Sequence, residues 1–133
     1  VLFDELGQLI NVMLKLKQAG FVLSMDDFGS GYSSLNMLKR LPVDILKLDK
    51  AFLDNFDASD DGQKEKTIVS HIISMAKDLD MEVLAEGVEN ESQKDFLIRA
   101  NCDMIQGYYY AKPMKLESFD QELRKLRSSA AQA

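Results

Sequence analysis

Val43–Asp49 reads VDILKLD, and this stretch decides the fold. Side chains alternate across a strand, so Ile45, Lys47 and Asp49 share one face while Leu46 and Leu48 share the other. Lys47 sits between apolar neighbours, and in a closed barrel it points into the interior. An ammonium there is costly unless paired, and burial by itself lowers its pKa. Three more apolar runs are expected to be strands and also end in polar residues: Phe21–Met25 before Asp26 and Asp27, Met81–Ala85 before Glu86 and Glu89, and Met104–Tyr109 around Gln106.

Helical periods separate these runs. Leu6, Leu9, Ile10, Met13 and Leu16 recur at helical spacing from Leu2 to Ala19, and Gly20 stops the pattern. A short helix is expected over Ser33–Arg40, capped by Ser33 or Ser34 and interrupted at Leu41-Pro42. Asp54–Gln63, with Asp57, Asp60 and Asp61, reads as a surface loop. Thr67–Leu79 gathers Ile68, Val69, Ile72, Ile73, Ala76 and Leu79 on one face. Asn90 caps Glu91–Ala100 with Gln93 at the capping-box position, and Leu116–Leu126 forms a last helix before a frayed tail, Ser128–Ala133. One domain over residues 1–127 is expected. The alternation implies an α/β fold of four parallel strands with right-handed crossovers. A closed (β/α)8 barrel has eight strands and about 250 residues, so this chain supplies about half of one. An open four-stranded sheet is the other solution, with two edges and one apolar face exposed.

The 133 residues are 46% hydrophobic and 29% charged, ordinary values for a soluble globular domain. The net charge of -6 argues against a DNA or RNA polymer as partner, although a metal ion can reverse the local sign for a small phosphate ligand. No apolar run approaches the ~20 residues of a membrane span, and the amphipathic, acidic stretch from Val1 does not follow the secretory pattern. Direct membrane contact is not expected. The single Cys102 forms no internal disulfide, which suits a reducing cytoplasm.

Polar groups gathered at strand C-termini describe the catalytic rim of a parallel barrel. Asp26 and Asp27 are adjacent carboxylates that need a cation, a basic partner or solvent, and hard Mg²⁺ or Mn²⁺ ions prefer such oxygens. Lys47 is either a structural ion pair with Asp26, Asp49 or Glu86, or a lysine placed against a phosphate or an attacking water. Glu86 is a metal ligand or a general base. Glu89 caps or braces a helix start, Gln106 offers hydrogen bonds, and Tyr108, Tyr109 and Tyr110 divide between core and rim. Asp44, Glu82 and Asp103 stand at strand starts, on the opposite, stability face. Asp27-Phe28-Gly29 matches the kinase metal-binding tripeptide, but the rest of that motif set is missing.

The strings DDFGSGYSSLNMLKRLPVDILKLDKAF, AEGVEN and CDMIQGYYYAKPM together resemble the C-terminal half of the EAL family. The resemblance covers nearly the whole chain, through Met114. It implies a (β/α)8 barrel and a two-metal phosphodiesterase, using Mg²⁺ or Mn²⁺, that opens cyclic di-GMP to linear pGpG. Carried over by motif, Asp26 bridges two metals and Asp27 binds the second. Lys47 contacts the attacking water or phosphate, and Glu86 binds the second metal or acts as base. Gln106 and Asp49 support the site, and Glu89 braces a neighbouring loop. Phe28, Gly29, Ser30, Gly31, Tyr32, Ser33 and Ser34 are the family's regulatory loop, here in the form typical of active members.

The Glu-Ala-Leu motif itself, the strand asparagine and the glutamate of the ELTE-like motif are absent from this sequence. Half of the inner coordination sphere is therefore expected here, with the N-terminal half of the barrel as the missing partner. The chain is read as an EAL fragment, inactive in isolation, that self-associates through its exposed strand edges or as the family's homodimer. The alternative is a degenerate EAL remnant that binds cyclic di-GMP or dimerises.

Overall fold

The computed structural model describes residues 2–28, 35–56 and 61–132. Its order is α1 (Leu2–Gln18), β1 (Ser24–Phe28), α2 (Leu35–Arg40), β2 (Ile45–Leu48), a 3₁₀ turn (Lys50–Phe52), α3 (Asp61–Asp78), β3 (Glu82–Ala85), α4 (Glu91–Arg99), β4 (Met104–Ile105) and α5 (Leu116–Gln132). The four strands form one sheet in the order β1-β2-β3-β4, and every pair is parallel. The expected α/β alternation is therefore present.

The core lies on one side of the sheet. Leu46, Leu48, Val83 and Ala85 are fully buried, and Val69, Ile73 and Ala76 of α3 and Leu97 of α4 are buried with them. Each side chain of Val or Leu size removed from water in this layer contributes about 1.5–3 kcal/mol. The alternate positions Ile45, Lys47 and Leu84 face the other side and are only half-buried. Parity read from VDILKLD thus assigns both faces of β2 correctly.

Several boundaries differ from the sequence expectation. β1 starts at Ser24, not Phe21, and runs through Asp26 and Asp27 instead of ending before them. Phe21 and Val22 are exposed. The ladder starts late because the Leu23 N–H donates to Asp44 Oδ2 at 2.9 Å, while the Leu23 carbonyl accepts from Asp44 and Ile45. Between Met25 and Phe28 the register shifts: Met25 stands opposite Leu46 and Phe28 opposite Leu48. Asp26 and Asp27 together therefore face the single residue Lys47, a bulge of the kind that re-aims side chains beside active sites. The shift also returns Phe28 to the buried face beside Leu48.

β4 has two residues rather than the expected span to Tyr109. Gly107 ends it by close approach, since a Cβ there would lie 2.2 Å from the Val88 carbonyl oxygen. The chain then turns, with the Tyr109 N–H donating to that same carbonyl at 3.0 Å. Tyr108, Tyr109 and Tyr110 are all exposed, so none joins the core.

α3 begins at Asp61 rather than Thr67, and Thr67 is an interior residue whose hydroxyl donates to the Gln63 carbonyl four residues back. Its first turns bury few apolar groups, which is why periodicity missed them. Ile68 and Leu79, placed on its apolar face by spacing, are exposed; Leu79 lies past the helix end, before Asp80 at φ +60°. α5 runs on to Gln132, beyond the expected end at Leu126 and through most of the segment expected to fray. α4 carries the expected cap: the Gln93 N–H donates to Asn90 Oδ1, and Gln93 Oε1 accepts from the Asn90 N–H. Among the described residues no helix is long and apolar enough to cross a membrane.

Candidate active site

Asp26 and Lys47 lie toward the C-terminal ends of β1 and β2, and Glu86 and Gln106 directly follow β3 and β4, so all four stand at one end of one sheet. Lys47 Nζ is 3.1 Å from Asp26 Oδ1 and 3.6 Å from Glu86 Oε1. The lysine is the middle of three: β1 supplies one carboxylate, β3 the other. The pairing Lys47↔Leu84 on β2–β3, followed by the Glu86 N–H donating to the Leu48 carbonyl at 3.2 Å, sets the second contact.

Burial alone would lower the Lys47 pKa, as the sequence suggested. In the structure it is raised, first by the hydrogen bond from Lys47 to Asp26, then by the charge of Asp26, with Glu86 adding to it. Its side chain is 28% exposed, so desolvation is partial and the carboxylates prevail. Lys47 is a fixed cation at neutral pH, suited to meeting a phosphate oxygen and unsuited to accepting a proton.

The supporting residues divide. Asp49 Oδ1 accepts from the Ala51 N–H at 3.4 Å and caps the 3₁₀ turn. Glu89 Oε1 is 2.8 Å from Lys50 Nζ, a partner that sequence spacing did not single out. Gln106 engages through its backbone: its N–H donates to the Ala85 carbonyl and its carbonyl accepts from Val88. The residue borders a recess of about 270 Å³ with Lys50, Gly87, Glu89, Gly107 and Tyr108. Phe28 is buried. Gly29, Ser30, Gly31, Tyr32, Ser33 and Ser34, and with them the cap expected for α2, lie outside the described residues, as do Asp57 and Asp60 of the expected loop. Asp27 is described only by its place in the bulge.

At the opposite end of the sheet the acids are structural. Asp44 accepts from the Leu23 N–H and pairs with Lys17 at 2.9 Å; that hydrogen bond first, and Lys17 next, hold its carboxyl below its usual pKa. Asp103 Oδ2 accepts from the Val83 N–H at 2.8 Å. The Cys102 thiol is pushed up in pKa by burial, with Sγ near the Val83 and Met104 carbonyls, an inert setting.

Hard carboxylate oxygens are the right kind of donor for a divalent cation. Asp26 and Glu86 supply two such groups, and no cluster of three or more His, Cys, Asp or Glu able to hold an ion occurs among the described residues. The donors fit in kind; as a set they are incomplete.

A family profile described as EAL domain matches residues 1–113. The chain belongs to the EAL family. It is 42% identical over 130 residues to the cyclic di-GMP phosphodiesterase NbdA of Pseudomonas aeruginosa, covering 98% of this chain and 16% of that protein. The EAL domain of Mycobacterium smegmatis DcpA superposes with a TM-score of 0.81 at 32% identity, over 90% of this chain and 52% of that one. A standalone EAL protein of Vibrio cholerae O395 in its c-di-GMP-bound form gives 0.70 at 36% identity, over 78% and 43%. The sheet of this EAL chain is thus part of the family's TIM-type barrel, and the chain spans only a small part of the length of the curated relatives it matches.

Proposed function

We propose that these residues are the C-terminal half of an EAL barrel, residues 1–127, whose complete form hydrolyses cyclic di-GMP to linear pGpG in the cytoplasm. The observation that carries this is the convergence of Asp26 and Glu86 on Lys47 at the C-terminal ends of three adjacent strands. Asp26, Asp27 and Glu86 would hold Mg²⁺ or Mn²⁺. Such an ion makes a bound water nucleophilic at neutral pH and offsets phosphate charge. Lys47, kept cationic by its two partners, donates to a non-bridging phosphate oxygen or orients the attacking water. Glu86 stands within reach of the same point and accepts a proton from that water, while Gln106 and Tyr108 border the recess beside it. Asp49 fixes the turn that follows Lys47.

With only part of a metal-binding set, the 133 residues alone are expected to be inactive. The half-buried Leu84 and Met104 on the open face, and the outer edges of β1 and β4, support self-association of the isolated chain. The decisive experiment uses the full-length protein that carries these residues, incubated with cyclic di-GMP and Mg²⁺ or Mn²⁺ and analysed chromatographically. Formation of pGpG that a chelator abolishes is expected. Tight binding of cyclic di-GMP without product would instead favour a binding module.

A further inference from the structure

Two lysine–carboxylate pairs, each partner three residues from its counterpart, join β2 and the turn after it to the segment after β3. Lys47–Glu86, at 3.6 Å, belongs to the candidate site; Lys50–Glu89, at 2.8 Å, lies beyond it. We propose that Lys50 is a positioning residue for Glu86, holding the Glu86–Glu89 turn from outside without touching substrate. This rests on the phosphodiesterase reading of the site.

The geometry gives Lys50 two grips on that turn. Its aliphatic stem lies against Gly87: a Cβ built there would stand 2.6 Å from Lys50 Cγ, 2.7 Å from Cβ and 3.0 Å from Cδ. Gly87 has φ +75°, so the turn needs glycine for its backbone and leaves its open side to the lysine stem. The ammonium then reaches Glu89, two residues further on. The remaining positions are held by the sheet: the Glu86 N–H donates to the Leu48 carbonyl at 3.2 Å, and the Val88 N–H to the Gln106 carbonyl at 3.1 Å. Residues 86 and 88 are thus tied to the flanking segments and the Glu89 N–H to Gln93 Oε1 at 2.8 Å, while Gly87 and the Glu89 carboxylate meet the Lys50 side chain. Lys50 itself is well placed to bear on them, because it opens the 3₁₀ turn that Asp49 caps and its carbonyl accepts from the Leu53 N–H at 2.9 Å. The hydrogen bond to Glu89 also raises the Lys50 pKa, keeping the grip charged at neutral pH.

An exposed ion pair with no further role contributes little to stability and nothing to turnover. The two readings separate in the full-length protein carrying these residues. Lys50→Ala is expected to lower kcat for cyclic di-GMP by about 10- to 100-fold, the usual effect of losing an outer support, with little change in KM or Tm. Lys50→Met, which keeps the stem, falls between; Lys50→Arg restores most of kcat; and Lys50→Glu combined with Glu89→Lys recovers activity that either change alone loses. Hydrogen exchange supplies a readout free of catalysis: amides of residues 86–89 exchange faster in Lys50→Ala, while those of β2 do not. Unchanged kcat and unchanged exchange in Lys50→Ala would overturn the proposal, as would a loss of kcat that Lys50→Arg fails to recover. A wild-type protein without turnover would defeat the phosphodiesterase reading instead, and exchange over residues 86–89 would then decide the role of Lys50.

Discussion

Lys47 and Asp44 show how ion pairing serves opposite ends of the sheet differently. Lys47 draws two carboxylates to itself, and its raised pKa means that its stabilising pairing is complete below the usual lysine value and is lost only as pH climbs through the folded one. Asp44 works in the reverse sense. Its pKa is depressed, so its contribution is complete above the ordinary value of 3.8 and fades as acid carries the pH down through the folded value. Asp44→Ala leaves the Leu23 N–H without its acceptor and is expected to cost about 1–3 kcal/mol at neutral pH, a gap that narrows in acid. Urea midpoints of wild type and Asp44→Ala at neutral and acid pH check both the size and the sign. That Asp44, Glu82 and Asp103 stand away from the rim was legible from their places at strand starts. Lys50 was not legible, because a lysine after a strand end looks like any solvated charge until the loop it holds is folded beside it.

Among the elements, those specified by local chemistry were read most closely. The Asn90–Gln93 box needs only four consecutive residues to declare itself, and it caps α4 as expected. β2 and β3 were legible because alternation within each strand records which face meets the helices. β1 was not, for two reasons that lie outside its own sequence: the Asp44 side chain takes the Leu23 N–H, and the bulge against Lys47 breaks the alternation at Asp26 and Asp27. β4 stops where Gly107 meets the backbone of Val88, a contact between segments far apart in periodic pattern. α3 divides the apolar positions that its period treats alike. Ile73 is fully buried and Leu79 is exposed. Ile73→Ala is therefore expected to destabilise by about 2–5 kcal/mol, from lost burial and the cavity left behind. Leu79→Ala should stay within about 0.5 kcal/mol. Denaturant titration of both variants tests whether the α3–sheet layer is the core.

The molecule as a whole presents one packed face and one open one. Helices α3 and α4 cover the buried side of the sheet, whereas Ile45, Leu84 and Met104 on the other side are only half-buried, and β1 and β4 each have a paired neighbour on one side only. Such edges favour pairing with another chain. Sedimentation of the purified 133-residue chain at micromolar concentration is expected to report a dimer or larger species; a folded monomer would mean that the helical layer suffices alone. The topology was legible because strand and helix alternate with few exceptions, and the rim chemistry was legible because polar residues gather near the ends of the apolar runs. What the four-stranded sheet adds is the meeting of Asp26, Lys47 and Glu86, and the proposed function rests on that meeting. It is tested most directly by measuring pGpG formation from cyclic di-GMP in the full-length protein, comparing wild type with Glu86→Gln, Asp26→Asn and Asp44→Asn. Removing transition-state charge stabilisation worth several kcal/mol lowers the rate about tenfold for each ~1.4 kcal/mol. Glu86→Gln and Asp26→Asn are therefore expected to lose about a thousandfold or more in kcat, with Asp44→Asn close to wild type at a temperature where it is folded. Turnover that survives both rim substitutions would contradict a catalytic role for this triad.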